Sequence, residues 1–447
     1  LNTGEIAERL LDLIGRSGVD LGEVYVTKSE GLEISLRDQS IERLRNKQEG
    51  GYGLRLIRDG RMAFVHSSDF REDSLRRVVE EGAELARAVE ADDSNVLPDP
   101  SEKEVAVDTF DPSFDEISFD RKVELLKDVE TFAFAYDPSI SMTEYIGYED
   151  SKSETVIANT RGLFRQGKST AFSFGASVVA RQDEDVESGG DDSRSHQFEG
   201  LDLPSQVASR ACRKAVSLLG GTTPPTGACP VIFDRDAGYA LMAHFLAMVR
   251  GDNVVQGLSA LRDRMGERIG SDIVSVVDDG TLEGGVAARA FDAEGVSSQR
   301  TVVIDRGVLR SFLFDTRSAR KAGARTTANA NRNGFRAQPN VGPTNFFMVN
   351  GTETPESIVK STGTGLIAIS LAGWWMGVNP ATGDFSSGAK GLWVENGEVV
   401  HPVRNVTIAS NVLDMLAGID AVGDDLAFRD RMITPTFRVA EMKMGGS

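Results

Sequence analysis

The chain has 447 residues, with 68 acidic against 49 basic side chains and a formal net charge of −19. A length of this order exceeds one small core and predicts roughly two to three domains, while 40% apolar and 26% charged residues exclude disorder as the dominant state. The acidic excess repels phosphate backbones, so nucleic acid is not expected as a ligand, and two cysteines, Cys212 and Cys229, exclude both a disulfide framework and a thiolate-rich zinc module and suit a reducing cytoplasm.

Leu1 to Ile6 reads as the start of an amphipathic helix rather than a signal peptide, because Ile6, Leu10, Leu11, Leu13 and Ile14 recur at helical spacing. Strand-like runs follow at Glu23 to Thr27, Leu32 to Leu36, Gly53 to Ile57 and Met62 to His66, with Asp59-Gly60 marking a tight hairpin between the last two. Glu72 to Ala91 predicts a helix, and Asp92 to Pro112 a polar, proline-marked linker. The order then returns: a helix over Asp120 to Ala135, several strands between Ser139 and His196, and a helix over Leu203 to Leu219. The pattern, though not the sequence, repeats as two α-β-α halves, 1–95 and 115–221.

Prolines and glycines cluster from Gly220 to Pro230, which places a domain junction there. The fold class expected is therefore α+β: an N-terminal α/β domain over 1–221 and a β-rich C-terminal domain with few helices over 222–447. In the second half, Asp305-Arg306-Gly307 and Asn396-Gly397 signal hairpins, and helices are expected near Asp236 to Arg250, Pro355 to Ser361 and Asn411 to Ile419. The longest uncharged stretch, Ser361 to Gly383, has an apolar centre from Leu366 to Val378 that is too short for a membrane span, which needs about 20 residues.

Several motifs carry little. Gly363-Thr364-Gly365-Leu366-Ile367-Ala368 matches a dinucleotide fingerprint in letters, but a helix precedes it and a strand follows, so a glycine helix stop is the better reading. Asp183 to Glu187 with Asp191-Asp192 lacks the spacing of a calcium loop and reads as an acidic, solvated hairpin tip. Two segments carry more. Ala319 to Gln338 holds Arg320, Lys321, Arg325, Arg332 and Arg336 with no acid among them. Such a loop can hold a substrate carboxylate or a partner's acidic edge, or pair with the protein's own acids. Trp374-Trp375, followed by Asn379, places adjacent aromatics on opposite faces if extended, one toward core and one toward a groove or interface. Arg332, Arg336, Trp374, Trp375 and Asn379 are therefore the candidate substrate or partner contacts.

Gly51 to Arg61 and, more specifically, Asn379 to Gly388 with Trp393 to Glu398 and Asn405 to Ala409 resemble the TldD/PmbA family, on its PmbA side (also called TldE). The resemblance spans nearly the whole chain. It implies an α+β N-terminal domain, a β-rich C-terminal domain, dimeric assembly and a role in cytoplasmic proteolysis, with an older association with DNA gyrase. TldD-type members carry His-Glu-x-x-x-His on a helix near the start of the C-terminal domain, where two imidazoles bind zinc and the glutamate polarises water. The matching helix here, with Asp236 as expected N-cap and Gly251 as expected stop, sets Met242, Ala243 and Ala247 at those positions. None can ligate zinc or move a proton. His244 finds only Ala240 and Met248 four residues away, and Phe245, not glutamate, follows it. The family's cysteine near the C-terminus has no counterpart in Asp424 to Pro435.

The expectation is a non-catalytic subunit of a zinc metallopeptidase heterodimer. It would hold no metal itself, expect zinc in a TldD-type partner, and bind extended peptide, with no nucleic acid and no membrane. Two alternatives stand beside it: an independent peptidase using a metal site assembled from distant residues such as His401, Asp278 and Asp279, and a metal-free homodimer that binds peptides or regulates another protein.

Overall fold

The computed structural model describes residues 2–101 and 105–446. Leu1 of the expected first helix and Glu102 to Glu104 of the expected linker lie outside the described residues. Helix α1 (Thr3–Gly15) begins in a capping box: the Asn2 side chain accepts from Glu5 N, and the Glu5 carboxylate accepts from Asn2 N, each at 2.9 Å. Strands β1 (Leu21–Arg37), β2 (Ser40–Arg58) and β3 (Arg61–Ser67) follow, then α2 (Glu72–Ala88). The order repeats as α3 (Phe119–Tyr136), β4 (Ile140–Asn159), β5 (Phe164–Gln182), β6 (Asp185–Ser195) and α4 (Pro204–Ser217).

The six strands form one sheet in the order β3-β2-β1-β4-β5-β6. Two helix-bounded three-stranded units are thus joined edge to edge through the antiparallel β1–β4 pair. The two runs expected at Glu23 to Thr27 and Leu32 to Leu36 are one continuous strand. Gly31 does not break it, because a side chain there would come within 2.3 Å of the Asp150 carbonyl, so glycine is what lets β4 approach. All four helices cover one face. α1 and α2 pack on Val24, Val26, Leu54 and Leu56, and α3 and α4 pack on Ile34, Leu36, Phe172 and Phe174.

The other face meets the C-terminal half. There, β7 (Gly227–Phe233) starts inside the stretch expected to be linker. It joins strands 364–372, 384–395, 398–411 and 437–446, and pairing of the last two with each other closes these five into a ring. A second sheet combines strands 276–279, 300–305, 308–309, 345–348 and 432–433. Helix α5 (Gly238–Val249) shares one core with both sheets, as its apolar residues on every side require. The expected hairpin turns are present, with left-handed backbone at Arg306-Gly307 and Asn396-Gly397. Among the described residues no helix is long and apolar enough to cross a membrane.

The contact between the halves explains the glycine-rich start of the Gly51 to Arg61 motif. A Cβ on Gly51 would lie 2.3 Å from the Phe335 ring, and one on Gly53 would lie 2.5 Å from the Phe335 carbonyl oxygen. The strand surface is bare there so that the loop carrying Phe335 can seat on it. Gly51→Ala should therefore cost about 1–3 kcal/mol by overpacking. In a urea-denaturation double-mutant cycle, adding Phe335→Ala should recover part of that loss, giving a total well below the sum of the two single changes.

Candidate functional site

Helix α5 carries positions 242, 243 and 247. Its first turn is fastened by Asp234, whose carboxylate accepts from Asp236 N at 3.1 Å and Ala237 N at 2.8 Å. The expected N-cap, Asp236, instead reaches away to Lys214 at 2.5 Å. Gly251 is not a stop either. It opens a further short helix, 251–255, and is glycine because a Cβ would meet the Phe314 ring at 2.2 Å. Gly238 lets the helix approach the buried Thr434, whose hydroxyl would be 1.9 Å from an added Cβ.

Met242 is fully buried in the core shared by the ring and the second sheet, and Ala243 and Ala247 are half-buried. No side chain at these three positions offers a lone pair suited to zinc. His244 is buried too. Its Nε2–H donates to the Trp374 carbonyl at 2.9 Å, its ring lies 5.2 Å from that of Phe385, and burial lowers its pKa. The residues of α5 therefore do not fit a zinc ion. Among the described residues no group of three or more His, Cys, Asp or Glu is placed to hold a metal. His401, whose Nδ1 is 3.1 Å from the Pro402 carbonyl, is not assembled into such a group with Asp278 and Asp279. Burial pushes the Cys212 and Cys229 thiols up to about 11, away from reactive thiolates.

Asp278 is occupied structurally. It accepts from Asn329 Nδ2 at 2.7 Å, Thr344 N at 2.8 Å and Thr344 Oγ1 at 2.7 Å. Burial nevertheless raises its pKa to about 6.

One cation of the basic loop is turned inward. Arg332, expected to meet substrate or partner, has a side chain only 1% exposed. It pairs with Glu23 of β1, donates from Nε to the Ala293 carbonyl at 3.1 Å, and lies 4.8 Å from the centre of the Tyr25 ring. Glu23 also pairs with Arg55 of β2, whose other nitrogen is 2.8 Å from Glu294. Burial acts to raise the Glu23 pKa, but Arg332 and Arg55 together outweigh it and hold the carboxyl below its usual value. Arg336 pairs with Glu49 and stacks 4.4 Å from the Phe335 ring. Arg317 and Lys321 both reach Asp92 at 2.9 Å. Of the loop's five cations, Lys321, Arg332 and Arg336 pair with acids of the N-terminal half, and Arg320 and Arg325 are exposed.

Trp374 and Trp375 sit in a single 3-10 turn, not an extended segment. Trp374 packs edge-on to Tyr239 at 5.6 Å, while Trp375 is 61% exposed. Asn379 is exposed, with its side chain accepting from Ala381 N at 3.0 Å to shape the turn before Gly383.

What the structure does assemble is a groove between the open sheet face and the start of α5. A cavity of about 590 Å³ is lined by Tyr145, Gly147 and Arg194 from the sheet, by Lys214 of α4 beside β6, and by Tyr239 and Asp430 opposite. One of about 260 Å³ shares Lys214 and Tyr239 and continues to Trp374. Another, of about 370 Å³, shares Arg194 and Asp430 and continues to His196. The walls carry both signs of charge. Arg194 lies between Asp192 at 2.7 Å and Asp430 at 3.4 Å, and Lys214 between Asp191 at 3.2 Å and Asp236. Asp191 and Asp192, expected at a solvated tip, are inside β6. Only Asp183 and Glu184 form the turn, with Asp183 left-handed. Tyr145, Arg194, Lys214 and Asp430 come from distant parts of the chain, and no local signal in the sequence marks them.

Comparison with known proteins gives a consistent result. The profiles for PmbA/TldA metallopeptidase domain 1, central domain and C-terminal domain match residues 22–86, 112–219 and 226–446. The chain is 30% identical to Metalloprotease PmbA of Escherichia coli O157:H7 over 96% of this chain and 92% of that one. It is 29% identical to a PmbA homologue of Haemophilus influenzae over 98% and 94%. A Thermotoga maritima structure, proposed as a modulator of DNA gyrase, superposes with a TM-score of 0.89 at 26% identity over 99% of both chains. TldE of Thermococcus kodakarensis shares the fold, with a TM-score of 0.89 at 23% identity over 99% of this chain and 100% of that one.

Two outcomes test these assignments. Arg332→Ala strands the buried Glu23 with one partner fewer and should cost about 3–5 kcal/mol in urea denaturation, as a structural rather than a contact residue would. For Asp278, the folded state holds its proton more tightly than the unfolded state, so its contribution to stability falls as pH rises from the ordinary carboxyl value of 3.8 to about 6 and is level above. Asp278→Asn should flatten that part of the stability profile by about 3 kcal/mol. A residual slope is expected from Asp234 and Asp292, both pushed up to about 7 by burial.

Proposed function

The chain belongs to the PmbA/TldD metallopeptidase family, and from that premise we propose that it is the non-catalytic subunit of a two-chain cytoplasmic peptidase, holding extended peptide for a zinc-bearing TldD-type partner. The observation that carries this reading is α5. Met242, Ala243 and Ala247 stand where metal ligands and base would be required, and Met242 is built into the core. Zinc in the partner supplies the Lewis acid that activates water.

This chain's own residues bind and orient. Tyr145, Tyr239 and Trp374 offer apolar walls along the groove. Arg194 and Lys214 can meet carboxylates of a peptide, and Asp236 and Asp430 its amines. Each of these charges already has an internal counter-charge, so exchange of partners leaves no ion unpaired. A groove of mixed charge with aromatic walls suits unfolded peptides of varied sequence better than one small ligand.

The chain purified from cells lacking a TldD-type homologue should carry well under one zinc per chain and cleave no peptide. Adding the homologue should restore cleavage, and Tyr239→Ala should then raise KM about tenfold with a smaller change in kcat. One tightly held zinc per chain with peptidase activity in isolation would overturn the reading and favour the independent enzyme.

A further inference from the structure

The N-terminal sheet leaves one long edge open. β3 pairs with β2 only from Tyr52 to Arg58, whereas β1 pairs with β2 from Ser40 onward. Over residues 40–51 the outer side of β2 has no strand against it among the described residues, and residues 40–49 are all exposed. In an antiparallel strand, alternate residues turn both amide and carbonyl outward, so this edge offers a row of unmet backbone donors and acceptors.

Its two faces differ. On the helix side, Ile41 lies opposite Leu36 and Leu44 opposite Ile34, and both stand out at 43% and 51% exposure. Further along on that side, Gln48 and Gly50 open onto a cavity of about 640 Å³ walled by Phe70 and Phe110. On the other side, Arg43, Arg45 and Lys47 follow one another in the alternation. Glu33 is shared by all three: it is 3.2 Å from Lys47 but only 3.7 and 3.8 Å from the two guanidiniums. Lys47 also takes Glu149 at 2.6 Å. Arg43 and Arg45 are thus left with one distant, shared carboxylate in a chain of net charge −19.

We propose that the open edge of β2, residues 40–51, receives an extended segment of another protein by strand addition, and that this segment alternates acidic with apolar residues. The acidic side chains would meet Arg43 and Arg45. The apolar ones would lie on Ile41 and Leu44, with one reaching the cavity between Phe70 and Phe110. Cationic side chains on a strand edge oppose pairing with a second copy, because antiparallel self-pairing centred on this strip sets cations against cations. They do not oppose an acidic strand. The cationic side of the edge adjoins the groove assigned to the peptide substrate, because Glu149, the partner of Lys47, lines two of its cavities, but the unpaired backbone edge of β2 is outside that lining and the proposal does not rest on that assignment.

The probe is a fluorescein-labelled decapeptide of alternating valine and glutamate, followed by fluorescence anisotropy. It should bind saturably to the full chain. The same peptide N-methylated on alternate residues, and a valine–lysine counterpart, should not bind. Arg43→Glu with Arg45→Glu should weaken binding about tenfold or more at unchanged melting temperature. Lys47→Gln serves as the milder variant if the double change fails to fold. Tyr239→Ala, in the groove, should leave this affinity unaltered. The proposal is overturned by no binding at millimolar peptide, by equal binding of the N-methylated or lysine peptide, or by loss with Tyr239→Ala. It is also overturned if sedimentation shows a dimer that Leu44→Pro dissolves, since the occupant is then a second copy.

Discussion

The chain of buried charges Arg332–Glu23–Arg55–Glu294 sets the relation between the two halves of the molecule. Two of its members come from β1 and β2 and two from the C-terminal half, and all are buried. Such an arrangement is a costly way to gain stability, because each ion gives up its hydration and gets back only what its partners supply. Its physical merit is directional. A guanidinium satisfies a carboxylate in few orientations, so alternating acid and base across a contact fixes the angle at which the two surfaces meet. Apolar surfaces alone would tolerate sliding. The groove between the sheet and α5 is bounded by both halves, so its width is a consequence of this contact. The bare strand at Gly51 and Gly53, filled by Phe335, and the pairing of Arg317 and Lys321 with Asp92 act in the same sense from neighbouring points.

Helix α5 is held by packing on all its sides. A helix that carries zinc must keep one face polar and reachable. Here the helix is apolar on every side and Met242 fills core space between two sheets. The one histidine spends its Nε2 proton on the turn that presents Trp374 to the groove. A histidine placed at 242 would set an imidazole among apolar neighbours. The apolar character of α5 is therefore distributed over its packing rather than confined to positions 242, 243 and 247.

Much of the fold was legible because local signals and tertiary placement agree. The first helix, the hairpin turns at Asn396-Gly397 and Arg306-Gly307, and the helix–strands–helix pattern of the first half all describe short-range geometry, which the chain carries in its own spacing. Gly31 misled because glycine in a strand signals either a break or a close approach, and only the neighbouring strand decides which. The two readings left open for the basic loop could not be decided from the sequence for a related reason. Arg332 and Arg336 find Glu23 and Glu49, roughly three hundred residues away, and composition records the presence of acids but not which of them a loop will meet. Helix α5 was legible as an apolar helix from its spacing. The groove was invisible, since its walls converge only after both halves are folded and docked.

The repeated three-stranded unit has two outer edges, and the structure treats them differently. Along β6, other parts of the chain come close, and Lys214 Nζ donates to the Gly190 carbonyl at 2.8 Å. Gly189 lies so near α4 that an added Cβ would be 2.3 Å from the Ala211 carbonyl, and Glu187 is buried against Lys390 of the ring at 2.7 Å. The β2 edge is left uncovered where β3 ends, at the Tyr52–Ser67 pair. An unprotected edge in a soluble protein invites aggregation, and charge on the edge is the usual remedy. That remedy works against neutral or like-charged strands, whereas lysine and arginine in alternation select an acidic one. The side chains that guard this edge against copies of its own chain are, by the same electrostatics, the ones that would admit a complementary strand.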